Sequence, residues 1–328
     1  MYQTNDKEIY LNDIIGKNRT ILMGYAIIVV VLYHLSFQCV CDIPYMKGLL
    51  SFGWYGVEIF LFLSGWGLYH SFSKNPDMKQ YYAKRFLRIM PTYLIVILIY
   101  SFIEGYSLFD AFLKWSTFSF WFGKSYFDWY IPSIVILYLI LPFLYKWVNK
   151  NRNSFVVFCM MIPFPVTYFL INQGIMGNYD LRLFFLARIP VFCLGLLVAS
   201  KKITLNVYMY KIMPLVCVLV LFLVMLVGRT ISNNLSVLRL LMFIFTIPVS
   251  LTVVQFLDAI SSVCIRSIFN YCGIISLEIY LVHEHLMKDL DIEFDFWDTT
   301  LLLIAILLVS KILHLFVGRS LKIINVLK

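Results

Sequence analysis

Residues 20–38 read TILMGYAIIVVVLYHLSFQ. The run is close to the roughly 20 residues a helix needs to cross a bilayer core. It carries no fixed charge and ends its apolar run in the imidazole of His34. The run is long and continuous, without polar/apolar alternation. Nine further stretches read the same way, at about 52–72, 89–108, 130–148, 154–172, 183–200, 211–228, 237–256, 267–286 and 299–318. The expected fold is therefore all-α, a polytopic membrane bundle of about ten transmembrane helices. The expected organisation is one domain over 1–328, with a segment 1–19, a bundle 20–318 and a tail 319–328.

Composition leads to the same class. The chain is 61% apolar and 14% charged, against roughly 45–50% and about 25% for soluble domains. A core of this length cannot hide that much apolar surface from water. A soluble enzyme, a disordered chain and a disulfide-stapled module are excluded. The apolar runs lack the alternation of outer-membrane barrels. Most of the seven cysteines lie in apolar runs and read as small hydrophobes. Cys39 and Cys41 are too close for an ordinary bridge and lack the companions of a zinc site. No cleavable signal and no appended soluble domain are expected, so chemistry is sought within the bundle.

The net charge of +9 is distributed as a topology signal, not as a nucleic-acid surface. Lys7, Lys17 and Arg19 precede the first run; Lys74, Lys79, Lys84, Arg85 and Arg88 follow the second. Lys146, Lys150, Arg152, Lys201, Lys202, Lys211, Arg266, Arg319, Lys322 and Lys328 fall on the same side. The opposite side holds an acidic loop, Asp289, Asp291, Glu293, Asp295 and Asp298. The positive-inside rule then places both termini in the cytoplasm. The aromatic segment 109–128 reads as interfacial, because Trp and Tyr favour the headgroup level.

Charged groups inside spans are costly, by about 2.5–3.5 kcal/mol on insertion scales, and usually mark function. Here they are His34, Glu58, Arg188, Glu278, His283 and Lys311, with His314 nearby. Helix rise places His34 roughly 6 Å below the outer end of its helix and Glu58 roughly 9 Å below the start of the next. Similar depth makes them a candidate pair. An acid beside an imidazole fixes its tautomer and suits it as general base to a hydroxyl; a purely structural pair is the competing reading. Arg85 and Arg88, three apart, share a helical face and with Lys84 form a candidate phosphate clamp; plain topology charge competes. Pro91 reads as a stop. Arg188 needs a counter-charge, with Glu278 as a candidate. His283, Glu284 and His285 are adjacent helical positions that face apart, so no metal site is expected there.

Several segments together resemble the acyltransferase 3 family of integral membrane acyltransferases, which modify sugars of surface polysaccharides. Gly56-Val57-Glu58-Ile59-Phe60-Leu61-Phe62-Leu63-Ser64-Gly65 is similar to its "GVDxFFxxSG" signature. Leu32-Tyr33-His34 resembles its helix-1 histidine stretch, and Tyr82 to Pro91 with Tyr93 its "YxxRRxxRIxPxY" segment. Arg188-Ile189-Pro190-Val191-Phe192 with Gly195 and Ser276-Leu277-Glu278-Ile279-Tyr280-Leu281-Val282-His283 resemble later segments. Two departures stand out. Met23 occupies the place of a basic residue eleven positions before the histidine, and the stretch from Trp129 lacks the acidic pair common in the fourth helix.

The resemblance implies a membrane O-acyltransferase, most often an O-acetyltransferase, in the plasma (inner) membrane of a bacterium. It implies acetyl-CoA or another acyl-CoA as co-substrate, with no permanently bound cofactor. It implies a glycan or lipid-linked sugar as acceptor. Arg85, Arg88 and Lys84 would hold CoA phosphates, with the pantetheine arm extending toward His34 as base and Glu58 orienting the ring. Ser64, Trp129, Tyr130, Arg188 and His283 are candidate acyl or acceptor contacts; for Ser64 close helix packing competes, and for Trp129 and Tyr130 interface anchoring. A homo-oligomer is compatible with this reading, and nucleic acid is not a partner. A polytopic transporter or flippase is the alternative, although no internal repeat is evident.

Overall fold

The computed structural model describes residues 8–36, 50–123, 128–176, 180–231, 243–260, 262–288 and 296–326. Cys39, Cys41 and the acidic positions 289–295 lie outside the described residues. In chain order the helices are α1 (Leu11–Leu35), α2 (Gly56–Lys74), α3 (Met78–Ile103), α4 (Leu108–Trp115), α5 (Phe118–Trp121), α6 (Tyr130–Lys150) and α7 (Arg152–Asn172). They continue with α8 (Leu181–Ala199), α9 (Val207–Lys211), α10 (Met213–Ile231), α11 (Phe243–Ile260), α12 (Val263–Ile274), α13 (Ser276–Lys288) and α14 (Phe296–Val326). Two short strands, β1 (Ile9–Tyr10) and β2 (Thr204–Leu205), pair antiparallel.

The fold is an all-α membrane fold. Among the described residues, six helices are long and apolar enough to cross a bilayer: α1, α3, α6, α7, α8 and the stretch Trp297–Lys322 of α14. The number rises to seven if α12 and α13, bent by 81° at their junction, form one broken span. The segment read as interfacial holds α4, on which Leu108, Phe109 and Phe112 are exposed while Ala111 is buried.

The third helix differs from its sequence reading. It starts at Met78 rather than near 89, because Asp77 caps it by accepting from the amides of Lys79 and Gln80. The basic segment is therefore helix, not loop. Nor does Pro91 end it, since the helix runs on to Ile103. Proline removes one intrahelical hydrogen bond, but inside a bilayer a helix remains the cheapest way to satisfy the rest of the backbone.

Prolines elsewhere show how the freed carbonyls are handled. Pro142 lies inside α6 and has no N–H to offer the carbonyl of Tyr138, four residues earlier. The Tyr81 hydroxyl donates to that carbonyl at 3.1 Å, and the Tyr82 hydroxyl to the next, Leu139, at 2.9 Å. In α7 the turn Val157–Met161 is π-helical immediately before Pro163. A wider turn accommodates the missing donor there.

The chain divides into two compact units. The first comprises 1–23, 57–76 and 140–270. Within it α2 and α8 meet backbone to backbone. A Cβ on Gly65 would lie 2.1 Å from the Phe192 carbonyl oxygen, and one on Gly195 would lie 2.2 Å from that of Phe62. Small residues at a crossing let two membrane helices approach this closely. The same unit ties β1 to β2 and the Trp66 indole N–H to the Asn12 side-chain oxygen, at 2.8 Å.

The second unit comprises 24–56, 77–139 and 271–328. The turn Ser51–Tyr55 lies flat on α1, since a Cβ on Gly53 would fall 2.0 Å from the Val29 carbonyl oxygen and one on Gly56 would fall 2.4 Å from that of Ala26. The Tyr25 and Tyr55 hydroxyls are bonded to each other across this contact. Helices α3, α13 and α14 pack together in the same unit.

Gly65→Ala and Gly195→Ala are each expected to destabilise the first unit by about 1–3 kcal/mol or more, the usual range for overpacking. Gly318→Ala, inside α14 where a Cβ meets nothing within 4 Å, is expected to raise stability by at most about 1 kcal/mol, alanine being the better helix former. Thermal unfolding in detergent checks both expectations.

Candidate active site

Helix α1 ends in the last-turn histidine His34, which is half-buried. Its partner is His283 of α13, which is fully buried. His34 Nδ1 and His283 Nε2 are hydrogen-bonded at 2.7 Å, with the rings stacked at 16°. The other nitrogen of His283, Nδ1, lies 3.0 Å from the carbonyl oxygen of Ile279 and 2.8 Å from that of Tyr280. His34, His283 and Glu284 bring ligand-type atoms within 4.8 Å of one another. No metal site is expected from His283, Glu284 and His285 alone, but α1 brings His34 to His283 and Glu284. Two imidazole nitrogens on one tetrahedral zinc would stand about 3.3 Å apart, given Zn–N of about 2.05 Å. The observed 2.7 Å separation is that of a direct N–H···N bond.

Around this pair lies an aromatic and acidic shell. Tyr130 at the start of α6 stacks near Tyr280, at 5.1 Å between centroids, and Tyr280 lies 5.8 Å from His283. Trp129 contacts Tyr130 edge-on at 6.2 Å. The neighbouring Asp128 is buried. It accepts from the Tyr93 hydroxyl at 3.1 Å and stands 3.9 Å from His285 Nε2. Burial pushes its carboxyl up to about 6, against the opposing influence of the Tyr93 hydroxyl bond and Lys114. Sequence reasoning missed Asp128, Glu284 and His285 as parts of this cluster. The signal for Asp128 was an acid placed immediately before a long apolar run, where a carboxylate has little water.

The other intramembrane charges are described with these partners. Glu58, in the first unit, is held by Arg188 rather than standing as an orienting acid on its own: Arg188 Nε is 3.0 Å from its carboxylate, and both side chains are nearly fully buried. Arg188 also donates to the Phe184 carbonyl at 3.3 Å. Glu278, the counter-charge proposed for Arg188, instead takes His314 Nδ1 at 3.0 Å. Helix rise gives depth but not the direction a side chain faces, so it could not choose between acids at one level.

The basic segment occupies the first turns of α3. Arg85 is half-buried beside Tyr81, its guanidinium carbon 5.7 Å from the ring centroid. Arg88 is exposed and reaches the Ile274 carbonyl at 3.4 Å, at the elbow between α12 and α13. Lys84 is exposed on the same stretch. Ser64 is half-buried in α2, next to the Gly65 crossing. The structure thus gathers His34, His283, Tyr130, Trp129, Arg85, Arg88 and Lys84 in the second unit, and Glu58, Arg188 and Ser64 in the first.

A family model described as Acyltransferase domain matches residues 21–315. The viral protein named "Putative acetyltransferase ORF330", from Acidianus two-tailed virus, is 27% identical over 160 residues, 46% of this chain and 47% of the viral protein. The chain thus spans about half the length of the curated relative it matches. No solved structure matches it.

Arg188→Leu leaves the buried Glu58 carboxylate without its cation and is expected to cost about 3–5 kcal/mol. The double variant Glu58→Leu/Arg188→Leu is expected to cost well under the sum of the singles, as a double-mutant cycle on melting in detergent checks. For Asp128 the sign follows from its raised folded-state value. Its stabilising contribution is complete below about 4 and is lost as pH rises through about 6, by at most about 3 kcal/mol. Asp128→Asn is expected to flatten that part of the stability–pH curve.

Proposed function

The chain belongs to the acyltransferase 3 family, and from that premise we propose that it is a membrane O-acyltransferase, with acetyl as the favoured acyl group. The donor is a cytoplasmic acyl-CoA, and the acceptor is a hydroxyl of a cell-surface or lipid-linked sugar. The setting is a bacterial plasma membrane, with about ten spans and both termini cytoplasmic, as the loop charges imply. The observation that carries the reading is the imidazole of His34, half-buried and bonded to a second histidine where a membrane helix ordinarily has only apolar groups.

In this reading His34 removes the proton from the acceptor hydroxyl as its oxygen attacks the thioester carbonyl carbon. The tetrahedral intermediate collapses with cleavage of the carbon–sulfur bond. The proton held on His34 passes to the departing CoA sulfur, so the enzyme ends unchanged. Arg85, Arg88 and Lys84 at the start of α3 suit the CoA phosphates, since guanidiniums recognise phosphate oxygens bidentately. Trp129 and Tyr130 offer aromatic faces to a sugar ring. The role first given to Glu58, orienting the ring of His34, passes to groups on α13, because Glu58 is engaged by Arg188.

A transporter or flippase is the second reading, and the 81° elbow between α12 and α13 favours it, because broken helices line transport sites. Purified protein in nanodiscs, supplied with acetyl-CoA and envelope glycan, separates the two. Release of free CoA with a glycan mass increase of one acyl unit is expected. His34→Ala is expected to lower turnover about 10²–10⁴-fold, the usual weight of a general base. Arg85→Ala and Arg88→Ala are expected to raise KM for acyl-CoA with kcat nearly unchanged. Solute uptake into proteoliposomes without CoA release would establish the transporter instead.

A further inference from the structure

The geometry points to His283 as the positioning residue of His34, acting through a proton arrangement that begins at the backbone of α13 and leaves Nε2 of His34 as the basic atom. The inference rests on the acyltransferase reading and supplies the group that orients its base.

A carbonyl oxygen only accepts. His283 Nδ1 lies within hydrogen-bond distance of two of them, Ile279 and Tyr280, so this nitrogen carries the proton. A neutral imidazole has one N–H and one lone pair, so His283 Nε2 is an acceptor. The atom 2.7 Å from it, His34 Nδ1, is then the donor. By the same rule the lone pair of His34 resides on Nε2. Two carbonyls of one helical turn thus set the tautomer of a histidine on another helix. This is the role an orienting carboxylate plays in a hydrolase triad, performed here by a neutral ring. A neutral ring is also the less costly choice at a fully buried position in a membrane, where a charge would need a counter-charge.

The relay also accounts for what happens after proton transfer. With a proton gained on Nε2, His34 is an imidazolium that still donates from Nδ1 to His283 Nε2. No proton on His283 need move. The Glu284 carboxylate, within the same 4.8 Å cluster, is the nearby negative charge that stabilises the imidazolium. Glu284 therefore takes the electrostatic part, and His283 the orienting part, of the role the sequence had assigned to Glu58.

Two substitutions and one spectrum test the inference. His283→Phe keeps the ring shape and removes the acceptor; His283→Gln keeps an acceptor at the reach of Nε2. The expected result is a fall in kcat of about 10²-fold or more for Phe, with KM for acetyl-CoA within twofold of wild type. Gln is expected to recover at least a tenfold part of the loss. A purely structural histidine would not separate the two variants. A Phe variant with full kcat, or a folded Gln variant as slow as Phe, overturns the inference. Should either variant fail to fold, nitrogen-15 NMR of histidine-labelled wild type decides. His34 protonated on Nδ1 and bare on Nε2 supports the relay, and the opposite tautomer overturns it. Activity lost to a zinc chelator and restored by zinc also overturns it, in favour of a metal centre. Absence of acyl transfer by the wild type overturns the reading of the reaction alone, and the spectrum still decides the tautomer.

Discussion

Hydrocarbon offers no hydrogen bonds, and this constraint shapes every polar feature of the molecule. A polar atom placed in a membrane must find its partner within the protein. Arg188 finds Glu58, Glu278 finds His314 and His34 finds His283. The carbonyl that Pro142 leaves without a donor is met by a tyrosine from α3. Even the two glycine contacts follow from the constraint. With no water to expel, helices gain little from greasy surfaces meeting, and close backbone approach at Gly65 and Gly195 supplies the dispersion contacts instead.

The partners differ in their surroundings. The Arg188–Glu58 pair is buried on both sides and joins the same two helices, α2 and α8, that meet at the glycine crossing. It has the marks of a structural lock. The His34–His283 pair is different in kind. One ring is sealed among carbonyls and the other is half-exposed. The two rings of one bonded pair thus sit in unlike surroundings. The acyltransferase reading draws on that asymmetry more than on the presence of histidine as such.

How much of this could be read beforehand varies with the kind of information needed. That residues 20–38 form a membrane helix follows from length and hydropathy alone, and so does the list of intramembrane charges. The partners of those charges do not follow. Depth along a helix can be estimated from rise per residue, but the face a side chain occupies depends on which helices neighbour it. Depth alone sets Glu58 level with His34 and offers Glu278 to Arg188, whereas Arg188 meets Glu58 and Glu278 meets His314. The start of α3 was legible in principle. Asp77 is an N-capping residue with the first helical turn directly after it, but a hydropathy window stops at the charged residues and misses the polar overhang. Pro91 misled in the opposite direction, because the bilayer changes how disruptive a proline is. Asp128 was overlooked because acids near the ends of spans are ordinarily solvated, and only packing against Tyr93 shows that this one is not.

The tyrosine contacts of α3 carry one more consequence. Tyr81 and Tyr82 stand immediately before Lys84 and Arg85, and their hydroxyls are fastened to consecutive carbonyls of α6. The cationic turn is thereby part of a braced rod rather than a loose tether. The backbone that carries these cations is fixed against α6, while the side chains of Lys84 and Arg88 stay exposed. A proline in one helix has in this way been converted, through a phenol on another, into stiffness beneath a cluster of cations.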